Sequence, residues 1–404
     1  MEAKSLAKKT SIIAASELIS KLINFASFAL LAVWLVPEDY GVFAIAWMAF
    51  VAADAFFDLG GGVGFFREEI TKNSQSLFNG YILIVASVWV LVQLSLSYVF
   101  YLFDRTDVAT LVLILAVSLI PRLGIAAATG WWKVNFQTEK MAVLQCVVAI
   151  AGAVAAVVSA SLGLAFESLA IRFLIGNVTG FFLVLLMQPG LLNYQFDFSV
   201  YRRWVGEGFK YSLTTNWGWL VFYYIEQQTI LLVFGTASLG IYNYAKKAIE
   251  VAMQSMGAVS RTILVPYFIR YSIKLSGVRS KTLIGAIGIV ILISIMVPMM
   301  HYFERFLSSQ WQPIIELISI LLYILPANVV FVVLSSYLVA NKKYRSFILM
   351  EVFNSLLLAF VGLLVYQYDM SISDFCYFMV AVYMLKSVVL LGYLSGRKFR
   401  QLDL

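Results

Sequence analysis

Twelve apolar runs, each long enough to cross a bilayer, limit what this chain can fold into. They lie at about 11–36, 40–65, 77–103, 108–130, 140–162, 168–188, 207–234, 238–262, 281–302, 312–339, 346–367 and 372–395. A helix needs roughly 20 mostly apolar residues to cross about 30 Å of hydrocarbon. The runs are continuous rather than alternating, which argues against strands of period two. With 62% hydrophobic and only 13% charged residues, the chain is not a soluble globular protein. The reading is an all-α polytopic membrane protein of twelve transmembrane helices.

Basic residues give the orientation. Between the proposed helices, 21 Lys and Arg fall on one side, and only Arg105 and Arg305 fall on the other. This positive-inside bias predicts that both termini are cytoplasmic. The net charge of +7 then reports topology and contact with anionic membrane lipid, and no nucleic-acid partner is called for. The first apolar run is too long for a cleaved signal peptide and reads as an uncleaved span. Cys146 and Cys376 sit in separate runs and read as small core residues, without a disulfide framework.

A faint internal repeat divides the chain. Residues 35–46 (LVPEDYGVFAIA) and 234–245 (FGTASLGIYNYA) each close one apolar helix and open the next, 199 residues apart. Gly41 meets Gly240 and Ala46 meets Ala245 in that frame, which suggests one bundle made twice, as in many transporters. Two six-helix lobes are expected, 1–188 and 207–404, joined by a cytoplasmic linker at 189–206 and related by an axis along the membrane normal. In the same frame Lys246 and Lys247 face Trp47 and Met48, Asp54 and Asp58 face Met253 and Gly257, and Glu17 faces Asn216. The scaffold was copied; the buried charges were not.

Other local features are structural. Pro121, Pro298 and Pro326 fall inside spans, where each removes a backbone donor and favours a kink. The stretch GNVTG at 176–180 has small-xxx-small spacing for close helix contact, and its sequon is buried in a span. The basic connection at 263–280 reads as either an interfacial helix or a plain loop. No external loop is long enough for a catalytic domain, so the chain is not expected to be an enzyme.

Energising motifs are missing too. No GxxxxGK[ST] sequence occurs, so the chain itself offers no P-loop for ATP. With one histidine, His301 near a helix end, and two separated cysteines, neither a metal site nor a cofactor is expected. Secondary transport remains, driven by an ion gradient or by the substrate's own gradient.

Charges inside the spans are therefore the informative residues. Each costs roughly 2.5–3.5 kcal/mol at a helix centre on insertion scales, so such residues face a bundle interior or a wet cavity. Lys21, Arg122, Lys246, Lys247 and Lys386, with Asn243, are candidates to bind an anionic group such as a phosphate. Glu17 and Lys21, spaced i,i+4, also have the alternative of neutralising each other, and Lys386 that of pairing with an acid elsewhere. Glu17, Asp54, Asp58 and Glu226 are candidates for proton or sodium coupling, because a carboxylate in low dielectric has a raised pKa. Asp54 and Asp58 precede a glycine-rich stretch, GGGVG at 60–64. Arg172 and Glu316 lie near helix ends and are expected to snorkel to the interface.

The segments LVPEDYG (35–41), FFDLGGGVGFFRE (56–68), IPRLGIAAATGWWKVNFQ (120–137), LGIYNYAKKAIE (239–250) and RTILVPYFIRY (261–271) resemble Wzx-type polysaccharide flippases. These belong to the multidrug/oligosaccharidyl-lipid/polysaccharide exporter superfamily. The resemblance implies a MATE-like fold with two lobes facing a central cavity. It implies movement of an undecaprenyl-diphosphate-linked oligosaccharide, as in O-antigen assembly, from the inner to the outer leaflet of the bacterial inner membrane. Partners would be that lipid-linked oligosaccharide, membrane lipid and other polysaccharide-assembly membrane proteins. Asp58, Arg67, Glu226, Gly240, Tyr242 and Lys247 fall on positions that look like the family's pattern. The chain departs from it with Glu at 226, where Asp is common, and with Lys rather than Arg at 247, which forgoes bidentate phosphate geometry. Trp217, Trp219, Tyr223 and Tyr224 offer faces to stack on sugars, or belt and core packing instead.

A MATE-like ion-coupled exporter of small organic cations shares the architecture, and the near balance of in-span acids and bases does not separate the two. A membrane-embedded polymerase or ligase would need a substantial external loop, which this sequence lacks.

Overall fold

The computed structural model describes residues 3–55, 65, 73–135, 137–188, 190, 193–259, 275–304, 309–340 and 344–395. Among them, regular structure is helical throughout. The helices are α1 (Ala3–Leu31), α2 (Pro37–Ala55), α3 (Ser74–Leu102), α4 (Thr106–Val134), α5 (Thr138–Ser161) and α6 (Glu167–Met187), followed by α7 (Phe198–Val259), α8 (Leu275–Glu304), α9 (Pro313–Leu321), α10 (Ile324–Ala340), α11 (Tyr344–Gln367) and α12 (Ile372–Ser395).

Two of these labels need a physical reading. The 62-residue α7 is broken at Gly235, whose φ of 82° and ψ of −178° are open in practice only to glycine. Its arms, 198–234 and 236–259, are separate spans. Conversely, α9 and α10 make one apolar span, Pro313–Leu338. Pro326 cannot donate to the Leu322 carbonyl and its ring crowds that oxygen, so the chain tightens there, with Leu325 N–H bonding Leu322 O at 3.0 Å. Counted this way, the described residues form the twelve spans read from the sequence.

The first half of the repeat opens α2 earlier than the apolar pattern suggests. α1 stops at Leu31 and α2 begins at Pro37, where proline suits the first helical position and Asp39 accepts the Val36 N–H at 3.0 Å. In the 199-residue frame Val36 corresponds to Gly235, so both copies break at the same register. One uses a turn and proline; the other uses a single glycine.

Among the described residues, seven helices are long and apolar enough to cross a membrane by length and composition alone. Several spans outside that group carry charge, such as Glu17 and Lys21 on α1 and Glu226, Lys246 and Lys247 on α7. Large apolar side chains remain exposed along the helices, among them Leu91 and Tyr98 on α3 and Leu356 and Leu363 on α11. Such a surface suits hydrocarbon rather than water.

The chain forms two compact units, Met1–Leu220 and Val221–Leu404. The first takes in the start of α7 because Tyr201 and Trp204 are buried in an aromatic cluster with Phe65, Phe78 and Tyr81. Its helices pack as α5 on α6, α3 on α4, α1 on α5 and α4 on α6. The glycines at 176 and 180 do what their spacing suggests. A Cβ on Gly176 would sit 3.1 Å from the Val148 carbonyl, and one on Gly180 2.6 Å from a Val148 methyl, so α6 seats closely on α5. Between them, Asn177 donates to the Ser118 carbonyl of α4 at 3.1 Å. The sequon asparagine thus serves helix packing.

In the second unit α12 packs on α10, α11 and α9, and α10 on α8. Ala286, Val330, Leu334, Tyr337, Leu338, Leu390 and Leu394 form one core across α8, α10 and α12. Cys146 and Cys376 are free thiols, Cys376 fully buried, as the sequence suggests.

Candidate functional site: charges held inside the helical units

In the second unit, the Gly235 break lets the arms of α7 fold against each other, so residues before it meet residues after it. The Glu226 side chain, 1% exposed, receives the Lys246 ammonium at 2.5 and 2.6 Å on its two oxygens. It also accepts the hydroxyl of fully buried Tyr242. The ammonium lies 5.7 and 5.9 Å from the ring centroids of Tyr223 and Tyr242, within cation–π range. One turn earlier, Asn243 donates to Gln227 Oε1 at 2.7 Å, a second polar tie between the arms. A carboxylate here is tolerable because a cation and a hydroxyl both satisfy it.

Two further pairs lie in this unit. Lys386 on α12 binds Glu351 on α11 at 2.6 Å, with both side chains largely buried, and its ammonium sits 3.7 Å from the Phe331 ring centroid of α10. Lys247 pairs with Glu250 one turn on at 3.3 Å and is 43% exposed. The first unit holds Glu17 and Lys21 at 3.6 Å, the self-neutralising option on α1. Arg122 lies 5.8 Å from the Phe50 ring centroid. Lys21, Lys246, Lys247 and Lys386 therefore already hold a carboxylate, so an incoming anion would compete with it.

Arg172 corrects the sequence reading. It does not snorkel: its residue is 9% exposed, and its guanidinium donates to Asn24 Oδ1 of α1. Gly152 on α5 makes room for its stem, since a Cβ there would meet Arg172 Cγ at 3.2 Å. Close packing of α5 on α6 encloses a residue that sequence position alone puts near a helix end. Glu316, by contrast, is exposed.

The repeat frame sharpens the contrast between the units. Glu226, Tyr242 and Lys246 correspond to Ser27, Phe43 and Trp47. In the first unit Trp47 stacks with Phe43 at 5.8 Å and Phe50 at 4.9 Å, and lies 4.7 Å from Phe173. One copy fills this register with rings, the other with an ion pair.

The family model described as "Polysaccharide biosynthesis protein" matches residues 30–316, most of the chain. The chain belongs to this family. Its fold agrees with solved transporters. A lipid II flippase, MurJ, in an inward closed conformation shares 14% identity, with a TM-score of 0.73 over 97% of this chain and 89% of that one. A MATE structure in complex with MaL6 matches at 12% identity and TM-score 0.68, over 98% and 97%. A MOP superfamily transporter from Pyrococcus furiosus matches at 11% identity and TM-score 0.62, over 99% and 97%. No curated protein sequence matches significantly. The twelve-span, MATE-like reading of the sequence is thus borne out, as is the resemblance to the polysaccharide-exporting branch.

In this family member, Asp58, Arg67, the GGGVG stretch and residues 263–274 of the basic connection lie outside the described residues, as do the side chains of Asp54, Trp217 and His301. Trp219 is half-exposed, whereas Tyr223 is buried beside Lys246. Sequence reasoning did not single out Gln227 or Glu351 as polar partners. A lysine in a span signals that some acid must meet it, but periodicity does not say which one.

Proposed function

We propose that this protein is a flippase. It moves an undecaprenyl-diphosphate-linked oligosaccharide from the inner to the outer leaflet of the bacterial inner membrane by alternating access. The observation that carries this reading is the match to the polysaccharide biosynthesis family across most of the chain. The MurJ-like fold supports it, since that relative is a lipid II flippase. The prenyl tail would stay in lipid while diphosphate and sugars pass along a hydrated path.

In this scheme Lys21, Lys247 and Lys386 contact the diphosphate, supported by Arg122, Lys246 and Asn243. Each lysine would exchange a protein carboxylate for phosphate oxygens, and the carboxylate it leaves would have to take up a proton or another cation, since a bare buried ion is costly. Glu17, Asp54, Asp58 and Glu226 are the candidates for proton or sodium coupling. A second reading, a MATE-like exporter of organic cations, draws on the fold likeness alone. The ion pairs of Glu17, Glu226, Glu250 and Glu351 with lysines neutralise both partners and do not separate the two readings, so the family match decides between them.

The test is translocation in proteoliposomes loaded with a fluorescent prenyl-diphosphate oligosaccharide. Wild-type protein should move the probe, and the triple variant Lys21→Ala, Lys247→Ala, Lys386→Ala should not. Efflux of an organic cation without lipid flipping would overturn the flippase reading in favour of the exporter. Flipping that ignores both proton and sodium gradients would remove the coupling role.

A further inference from the structure

Away from the in-span charges, the first unit contains a polar cleft. Where residues 193–197 run past the start of α3, a cavity of about 540 Å³ opens, lined by Asn73, Gln75, Ser76, Asn193, Tyr194 and Gln195 around Gly190. Its size falls in the range of small-molecule sites. Its walls are well anchored. Gln195 N–H bonds the Ser76 carbonyl at 2.9 Å, buried Asn79 donates to the Asn193 carbonyl at 3.1 Å, and the Tyr201 hydroxyl donates to the Gln195 carbonyl at 2.6 Å.

The chemistry of the lining selects a ligand class. Among the described residues the lining is uncharged: four carboxamides, a serine and a tyrosine around Gly190. Four carboxamides each present donors and an acceptor in one plane, a pattern that suits vicinal hydroxyls. Tyr194, 41% exposed, adds a ring face with a polar tip. The Gln75 amide nitrogen is buried without a hydrogen-bond partner, and a buried donor left unsatisfied is costly. Gly190 keeps the space open: its missing Cβ points at the Gln75 amide, 3.7 Å from the nitrogen, and at Asn193.

We propose that this cleft binds a neutral hexopyranose unit, with or without an N-acetyl group, and so docks the glycan of the substrate before transport. This rests on the flippase reading above. The positive-inside bias puts the cleft on the cytoplasmic face, where such a glycan would await flipping.

The experiment uses the full chain in lipid nanodiscs and saturation-transfer difference NMR with glucose, galactose, N-acetylglucosamine and N-acetylgalactosamine as probes. Wild type should give transfer to at least one sugar. Gly190→Ala, whose methyl makes only ordinary contacts, should retain it. Gly190→Leu, which fills the cleft, and Tyr194→Ala, a change at an exposed residue, should weaken it about tenfold, the worth of one or two hydrogen bonds or a stacked ring. Absence of transfer from all four sugars, or transfer unchanged in both weakening variants, overturns the proposal. Flipping measured on the same proteins separates the two claims. Flipping without a sugar signal removes the cleft but leaves the flippase reading; a cleft-dependent signal without flipping does the reverse.

Discussion

Lys246 reaches across the Gly235 break to hold both carboxylate oxygens of Glu226, at 2.5 and 2.6 Å. The two residues are 20 positions apart and lie on opposite arms of one nominal helix. The pair closes the two arms on each other and gives a buried carboxylate its partner.

Removing one partner should therefore cost more than removing both. Lys246→Met or Glu226→Gln is expected to destabilise the protein by about 3–5 kcal/mol, because one charge is left buried and uncompensated. The double variant should recover most of that loss. Thermal unfolding of the three variants in detergent checks the pattern, and equal losses in all three would contradict it.

Gly235→Ala should cost about 1–3 kcal/mol, since φ 82° with ψ −178° is a region that side chains avoid. The same change at Gly206, where a Cβ meets nothing within 4 Å, should cost much less. Comparing the two melting temperatures isolates backbone strain from a general intolerance of change in α7.

Gly80→Ala should destabilise the first unit by about 1–3 kcal/mol through overpacking. An added Cβ would run into the Gln195 carbonyl oxygen and lie 2.6 Å from the Tyr201 hydroxyl. Protease cleavage between α6 and α7 should speed up in this variant, and an unchanged rate would show that the close approach has no structural weight.

Asp197 caps the start of α7: its Oδ1 accepts the Ser199 hydroxyl at 2.6 Å, the Ser199 N–H at 2.9 Å and the Val200 N–H at 3.3 Å. The Ser199 hydroxyl first, then the Val200 N–H, holds its carboxyl below the ordinary value of 3.8. A depressed folded pKa means the contribution is present above the ordinary value and is lost as pH falls through the folded one. Asp197→Asn should thus lower the melting temperature near neutral pH, with the gap to wild type closing as pH falls below the ordinary carboxylate value and through the folded one. A gap independent of pH would argue that charge plays no part in this cap.

Some of the site was readable before any fold was known, and the reason is distance along the chain. Glu17 and Lys21 are one turn apart, so helical periodicity alone suggested their pairing. Lys386 and Glu351 are 35 residues apart on different helices. Lys386 was visible as an in-span charge, but nothing local linked it to Glu351. Arg172 was misjudged because the decisive fact, glycine-mediated closeness of α5 and α6, concerns another helix.

The sequence by itself determined the membrane class and the twelve spans. Those follow from local thermodynamics: about 20 apolar residues must cross the bilayer as hydrogen-bonded helix, and a turn must fall between them. Only the tertiary structure decided which charges meet, which glycine breaks α7, and that carboxamides from α3 and from the chain after α6 converge on one cleft. Such pairings depend on how helix faces come together in space, where packing and the need to satisfy buried polar groups outweigh any preference written along a single helix.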